Sequence, residues 1–289
     1  MSEITITDVR HNPGDSAFLV DDGKTAVLYD TGFAFTGNNV ANNIKRILGE
    51  RPLDYIFLTH SHYDHAAGSP YICRIWKNAK VVAGEYAAKV FSKTSAKTLM
   101  RELDRKCALA CGVNEYEDLI DELHADITVC DGDIIRAGDM EFVSVALPGH
   151  TRCSFGFYLP RHKLLLGSET TGVFNAKDDV VPSYLVGYEM TVKSIEKVEA
   201  LEVENILLPH FGLVDKQTTH FYLSRAKSSA VETASEIAGL IKKGAEEKDI
   251  ISFMAHKFYR GYMKTIYPID AFELNTSIMI SLIKKEFSL

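Results

Sequence analysis

Thr59-His60-Ser61-His62-Tyr63-Asp64-His65 is the stretch on which the reading of this chain turns. It sets three imidazoles and a carboxylate within six residues, at the end of the apolar run Tyr55–Thr59, which reads as a strand bounded by Pro52. Nitrogen and oxygen donors of these kinds suit zinc, iron or manganese. Side chains in a turn at a strand end can converge on one point. A single ion rarely takes four ligands from so short a run without strain, so two ions, each completed from elsewhere, are easier to build. Burying three unpaired imidazoles for packing alone costs too much.

Working outward, the missing donors are visible downstream. Pro148-Gly149-His150-Thr151 follows the strand-like Glu141–Ala146, and Pro209-His210-Phe211-Gly212 follows Ile206–Leu208. Five of the ten histidines therefore fall at strand ends. The others, His11, His124, His162, His220 and His256, read as ordinary loop or helix residues, with His162 on the hairpin tip Arg161-His162-Lys163.

Short strands are expected at Ile4–Val9, Ala17–Val20, Ala26–Tyr29 and Lys80–Ala83, with a helix over Val40–Leu48. Glu85–His124 reads mainly as helix, broken near Gly112. Strands resume at Ile127–Val129, Ile134–Ile135, Glu141–Ala146, Phe155–Leu159 and Lys163–Leu166, and Thr191–Ala200 reads as helix. After His210 the pattern turns helical, with Leu223, Ala226, Ala230, Ala234, Ile237 and Ile241 on one face and a stop at Gly244. Two more helices are expected near Ile250–Tyr259 and Ala271–Lys285. No Pro- or Ser-rich linker intervenes, so the expected division is a main domain over 1–215 with a helical extension over 216–289 packed on it. Leu274, Ile278 and Leu282 recur every four residues; internal packing is the expectation, and a homodimer contact is the alternative.

The chain has 289 residues, 46% hydrophobic and 25% charged, enough to bury a core without disulfides. A formal charge of -7 argues against a nucleic-acid surface, which needs clustered Lys and Arg. It still allows a small anionic substrate drawn to local metal charge. No apolar run approaches a membrane span, and Met1–Thr7 lacks the marks of a signal peptide. Five cysteines with no CxxC pair fit a reduced, cytoplasmic protein. Cys107 and Cys111, sharing a helical face with Met100 and Leu103, are expected in the core, and Cys153 is read as packed rather than nucleophilic.

The HxHxDH run after an apolar strand, then Gly149-His150-Thr151, then His210, resembles the signature of the metallo-β-lactamase superfamily. The resemblance covers about residues 4–215, including Tyr29-Asp30-Thr31-Gly32 and Asp131-Gly132-Asp133. It implies an α+β fold, a four-layer αββα sandwich with the site at one edge. It further implies that His60, His62 and His150 bind a first metal and Asp64, His65 and His210 a second, with Asp30 orienting the ligand loop. The residues alone leave Asp30 an ordinary turn aspartate as the alternative.

Two departures from the family pattern stand out. Where family hydrolases carry a Gly-Asp whose aspartate bridges the metals, this chain has Gly167-Ser168-Glu169. Either Ser168 replaces the aspartate and the bridge is lost, or Glu169 supplies it. The reading favours Glu169, because a carboxylate offsets the charge of two divalent ions. The second departure is Pro-His-Phe-Gly in place of Pro-Gly-His-Gly, which keeps the histidine.

The expected chemistry is hydrolysis by a hydroxide shared between two metals, zinc first and iron or manganese as alternatives, with Asp64 positioning the nucleophile or taking a proton. The helical tail resembles the C-terminal caps of quinolone-signal thioesterases, and glyoxalase II-like enzymes and acyl-homoserine lactonases share the ligand set. A thioester or other carboxylic ester or lactone is therefore the leading substrate class, with a phosphodiester as an alternative. Val173–Tyr188 reads as a substrate loop, with Tyr184 and Tyr188 as candidate donors. A secreted β-lactamase, an RNA-processing nuclease and a flavodiiron oxidoreductase fit less well. The competing class is a weakly catalytic metal-binding protein that acts through a protein partner.

Overall fold

Alternation of period two along each strand decides the architecture. In the computed structural model, which describes residues 3–175 and 179–289, the first half builds one sheet and its helices. The elements are β1 (Thr5–Asp8), β2 (Phe18–Asp21), β3 (Ala26–Tyr29), α1 (Gly37–Leu48), β4 (Tyr55–Phe57), α2 (Tyr63–Ala66), α3 (Ser69–Ile75), β5 (Lys80–Gly84), α4 (Glu85–Phe91), α5 (Thr94–Ala110) and β6 (Ile127–Val129). The six strands lie in sequence order, with β3 through β6 parallel.

The second half adds β7 (Ile134–Ala137), β8 (Met140–Ala146), β9 (Phe155–Leu159), β10 (Leu164–Leu166), the hairpin β11 (Val173–Phe174) and β12 (Val180–Val181), α6 (Tyr188–Glu199), β13 (Asn205–Leu208) and β14 (Gly212–Val214). Its sheet runs β14-β13-β10-β9-β8-β7. The tail is α7 (Lys216–Lys242), α8 (Glu247–Phe258), α9 (Met263–Ile266) and α10 (Ile269–Glu286).

Phe18, Val20, Val27, Tyr29, Phe57 and Val82 point inward from the first sheet, against Phe142, Phe157, Leu166 and Leu207 of the second. The alternate residues Leu19, Leu28, Ile56 and Val81 face outward and are covered with Val40 and Ile44 of α1. Leu165 and Ile206 on the outer face of the second sheet meet Ile195 of α6 and Tyr222 of α7. The result is the αββα sandwich. A separate apolar cluster joins α7, α8 and α10 to the β11–β12 hairpin. No helix among the described residues is long and apolar enough to cross a membrane.

Several expectations need correction. Helix ends at Ala110 rather than His124; residues 113–119 run without helix to a short 3-10 turn at Ile120–Glu122. That segment is pinned by tertiary contacts, the Tyr71 hydroxyl donating to Glu117 O and the ring of Tyr116 lying against Phe35. Val173–Tyr188 is not a plain loop: it holds the β11–β12 hairpin and the first residue of α6, while residues 176–178 lie outside the described residues. The buried face of α5 follows Met100, Asp104 and Ala108, so Cys107 is half-buried and Cys111 is exposed. In α10 the buried face is Phe272, Thr276, Met279, Ile280 and Ile283, which turns Leu274 and Ile278 to the surface.

Asp104 is the polar member of the buried face of α5. Its Oδ1 accepts from Ala34 N at 2.8 Å and holds the segment leading into α1. Burial raises its pKa from an ordinary 3.8 to about 6. A carboxyl raised in the native state binds its proton more tightly folded than unfolded. It therefore favours folding at low pH, and that contribution is lost as pH rises from about 4 through about 6. In Asp104→Asn this loss should vanish. Urea unfolding at pH 4 and pH 7 should show the variant gaining up to about 3 kcal/mol on the parent across that interval. An unchanged difference between the two pH values would sink this reading of Asp104.

Candidate metal centre

Parallel strands deliver their following residues to one rim, and this chain uses that rim five times. Asp30 follows β3, the His60–His65 turn follows β4, His150 follows β8, Glu169 follows β10 and His210 follows β13. Gly149 makes the approach of its neighbour feasible. Its φ of 144° and its contact with Thr191, which a Cβ would strike, leave room for no side chain. Asp30 and His210 adopt left-handed backbone at φ 54° and 61° without being glycine. Such residues persist where their surroundings over-determine them. Asp30 N donates to Phe57 O at 2.9 Å, and the carbonyl of His210 accepts from both the Arg10 guanidinium and the Tyr262 hydroxyl.

Three of the five imidazoles are aimed from behind. His65 Nδ1 lies 2.7 Å from Asp30 Oδ2, while the same carboxylate accepts from Thr59 N at 2.8 Å and from Ser16 Oγ at 2.9 Å. His150 Nδ1 faces Ser183 O at 3.0 Å, and His210 Nδ1 faces Asp15 O at 3.2 Å. With protons on those Nδ1 atoms, the Nε2 lone pairs of all three rings point into the centre.

The donors fall into two groups, one of His60, His62, His150 and Glu169 and the other of Asp64, His65 and His210, with the donor atoms of each within 4.8 Å of one another. Glu169 stands between the groups. Its Oε2 is 2.9 Å from His150 Nε2, 3.6 Å from His60 Nε2 and 3.4 Å from His65 Nε2, and its Oε1 is 3.4 Å from His210 Nε2. Asp64 Oδ2 lies 3.7 Å from His65 Nε2 and 3.8 Å from His210 Nε2. The hydroxyl of the neighbouring Ser168 accepts from Thr170 N. The seven side chains that the sequence offers as metal donors thus meet at one place.

Electrostatics leave His60 and His62 neutral and Glu169 ionised, as a cation needs, and shift His65 and Asp64 the other way. Burial, then repulsion from His65 and His62, holds His60 well below the usual imidazole range; burial and His150 hold His62 down at about 3. For His65 burial pulls the same way, but Asp30 and Asp64 outweigh it and raise the ring. Burial works against the Glu169 carboxylate too, yet the imidazoles led by His150 keep it well below its ordinary range. Burial raises Asp64. His60 Nε2 and Glu169 Oε2 are buried without a well-aligned hydrogen bond. Orphaned polar atoms facing other lone pairs are what divalent cations satisfy, so these residues fit a pair of them.

Three neighbours carried no signal in the sequence. Asp15 acts through a carbonyl that any residue possesses, and Ser183 offers His150 both its carbonyl and its hydroxyl. Tyr267, between α9 and α10, donates to Glu169 Oε1 at 2.6 Å and stacks edge-on near His210, so the tail reaches the centre itself. Tyr184 and Tyr188 are elsewhere engaged. Tyr184 is buried and packs its ring 5.6 Å from Tyr188, which meets Phe287 at 5.5 Å. Among the described residues neither hydroxyl hydrogen-bonds to the cluster.

The family profile described as the metallo-beta-lactamase superfamily matches residues 14–210. Glyoxylase B2 of Dictyostelium discoideum is 25% identical over 162 residues, covering 53% of this chain and 51%, about half, of that protein's length. A metallo-beta-lactamase fold-containing protein from Sulfurisphaera tokodaii is 24% identical over 209 residues, covering 71% of this chain and 76% of its own. The crystal structure of a metallo-beta-lactamase family protein from Thermus thermophilus aligns over 99% of this chain and 93% of its own, with a TM-score of 0.64 at 16% identity. That likeness is one of fold.

Replacing Glu169 and Ser168 in turn separates the two assignments of the bridging position. After dialysis against metal-free buffer, Glu169→Ala should retain at least one metal equivalent fewer than the parent by elemental analysis, and Ser168→Ala should retain the same number. Full retention by Glu169→Ala would remove that carboxylate from the centre.

Proposed function

The chain belongs to the metallo-β-lactamase superfamily, and on that premise we propose that it is a dinuclear metal-dependent hydrolase of thioesters or other carboxylic esters, lactones included. The observation that carries this reading is Glu169 standing between two complete donor groups. Zinc is the proposed cation, since imidazole-rich sites with carboxylate support suit it, although iron and manganese use the same donors. Divalent cations bound there would acidify water and polarise a carbonyl oxygen.

The protein's own groups have separate tasks. Asp30, fixed by Thr59 and Ser16, keeps the His65 ring in one tautomer, and Ser183 does the same for His150. Tyr267 holds one oxygen of Glu169 in place. Asp64, beside His65 and His210, is the group proposed to position the attacking water or take its proton and pass it to the departing thiolate or alkoxide. Water oxygen bonds to the acyl carbon and the carbon–sulfur or carbon–oxygen bond breaks, so no protein nucleophile is required. Cys153 is buried with its Sγ 3.3 Å from Ser61 Oγ, which suits packing rather than attack. The likeness to a protein named Glyoxylase B2 supports the same substrate direction as the ligand set.

With protein loaded with zinc, a panel of thioesters, lactones and phosphodiesters should show hydrolysis of the first two. Changing a residue behind a metal ligand typically costs about 10–100-fold. Asp30→Asn should therefore lose activity in that range, and His62→Ala, which removes a donor, should lose more. Inactivity toward every thioester and lactone, or full activity in His62→Ala, would refute the proposal.

A further inference from the structure

We propose that the outer face of α10 joins this chain to a second copy of itself, the two helices packing antiparallel about a two-fold axis at Ile278. The inference goes beyond the hydrolase reading and does not depend on it. α10 buries Phe272, Thr276, Met279, Ile280 and Ile283 within the tail. On its other side Ala271, Leu274, Ile278, Leu282 and Lys285 recur at steps of three and four, which makes one stripe along a helix. Leu274 is 56% exposed and Ile278 36%, while Ala271 and Leu282 are half-buried. Either exposed residue alone would be ordinary for a surface; aligned with two further apolar neighbours they make a face.

Charge complementarity selects the occupant. Asp270, at the start of the helix, already pairs with Lys106 of α5. Glu273 and Lys284 take no ion pair among the described residues. They stand close to three helical turns apart, so they share one flank of the stripe at a separation of about 16 Å, too far to pair with each other. In antiparallel helices each flank meets the same flank of the copy. A two-fold axis at Ile278 therefore sets Ile278 against itself, Leu274 against Leu282, and Glu273 of each chain beside Lys284 of the other. A parallel pair would bring neither charge to its opposite. Steps of three and four suit helices crossing at only about 20°, which keeps these contacts in line, and the stem of Lys285 can lie along the seam with its charge in water. One pair of helices covers less than the roughly 1,200 Å2 of a standard stable interface, so the dimer is weak and forms in the micromolar range.

The test is sedimentation equilibrium of the full-length chain. Its weight-average mass should rise from that of one chain toward that of two as concentration increases through the micromolar range. Ile278→Glu, which places two glutamates on the axis, should hold the protein at the mass of one chain, with the circular dichroism spectrum and thermal midpoint of the dilute parent. Lys284→Glu should weaken association about tenfold, since it turns two exposed attractions into repulsions. Adding Glu273→Lys to that variant should restore the parent's association constant, a gain that a misfolded protein cannot show. A mass that stays at one chain up to about 1 mM would overturn the inference and leave the face to a different protein. So would a dimer that a folded Ile278→Glu does not dissociate, or a double exchange that fails to restore what Lys284→Glu loses.

Discussion

Imidazole nitrogens this close must share a proton or a cation, and here two pairs of them approach closely. His62 Nδ1 and His150 Nε2 are 3.1 Å apart, and His65 Nε2 and His210 Nε2 are 3.2 Å apart. The outer nitrogens of His65, His150 and His210 are already committed to Asp30, Ser183 and Asp15. With those outer protons in place, a proton on the inner nitrogen of His65, His150 or His210 would make that ring a buried cation. Cations shared among the rings and Glu169 remove the conflict. Most of the unusual local structure follows from holding these donors in that opposition.

The fold absorbs the cost by anchoring. Left-handed Asp30 sits at the end of β3, where its backbone and both carboxylate oxygens are bonded to neighbouring loops. Left-handed His210 is held by its carbonyl, which two donors from opposite ends of the chain share: Arg10 near the first strand and Tyr262 in the tail. The sheets meet beneath the rim, where the Tyr29 hydroxyl donates to Gly167 O at 2.8 Å. The tail is therefore more than a cover, since Tyr262 and Tyr267 bond directly to the backbone of one donor residue and the carboxylate of another.

How far the sequence announced this depends on how local each interaction is. The His60–His65 turn was legible because its donors crowd into one turn after an apolar strand. His150 and His210 were legible because each follows a strand that period and composition mark. Glu169 could be chosen over Ser168 from charge alone, and the structure sets the carboxylate among the imidazoles, with the serine hydroxyl accepting from Thr170 N. Ser183 and Asp15 were invisible because distant folding brings them to the rings, Asp15 by its carbonyl and Ser183 by its carbonyl and hydroxyl. Tyr267 was missed because a tyrosine before a proline says nothing of a partner 98 residues away. Residues 113–119 were read as helix because their extended path is fixed by Tyr71 and Phe35 rather than by local propensity. Leu274 and Ile278 share a four-residue spacing, yet α10 buries a different face, so spacing alone misjudged its orientation.

Anomalous diffraction from crystals of protein purified without chelators, recorded above and below the zinc edge, tests the account most directly. Two peaks roughly 3.5–4 Å apart are predicted, one among His60, His62 and His150 and the other among Asp64, His65 and His210, with Glu169 between them. One peak alone, or none in crystals grown with added zinc, would contradict a centre built for a pair of cations.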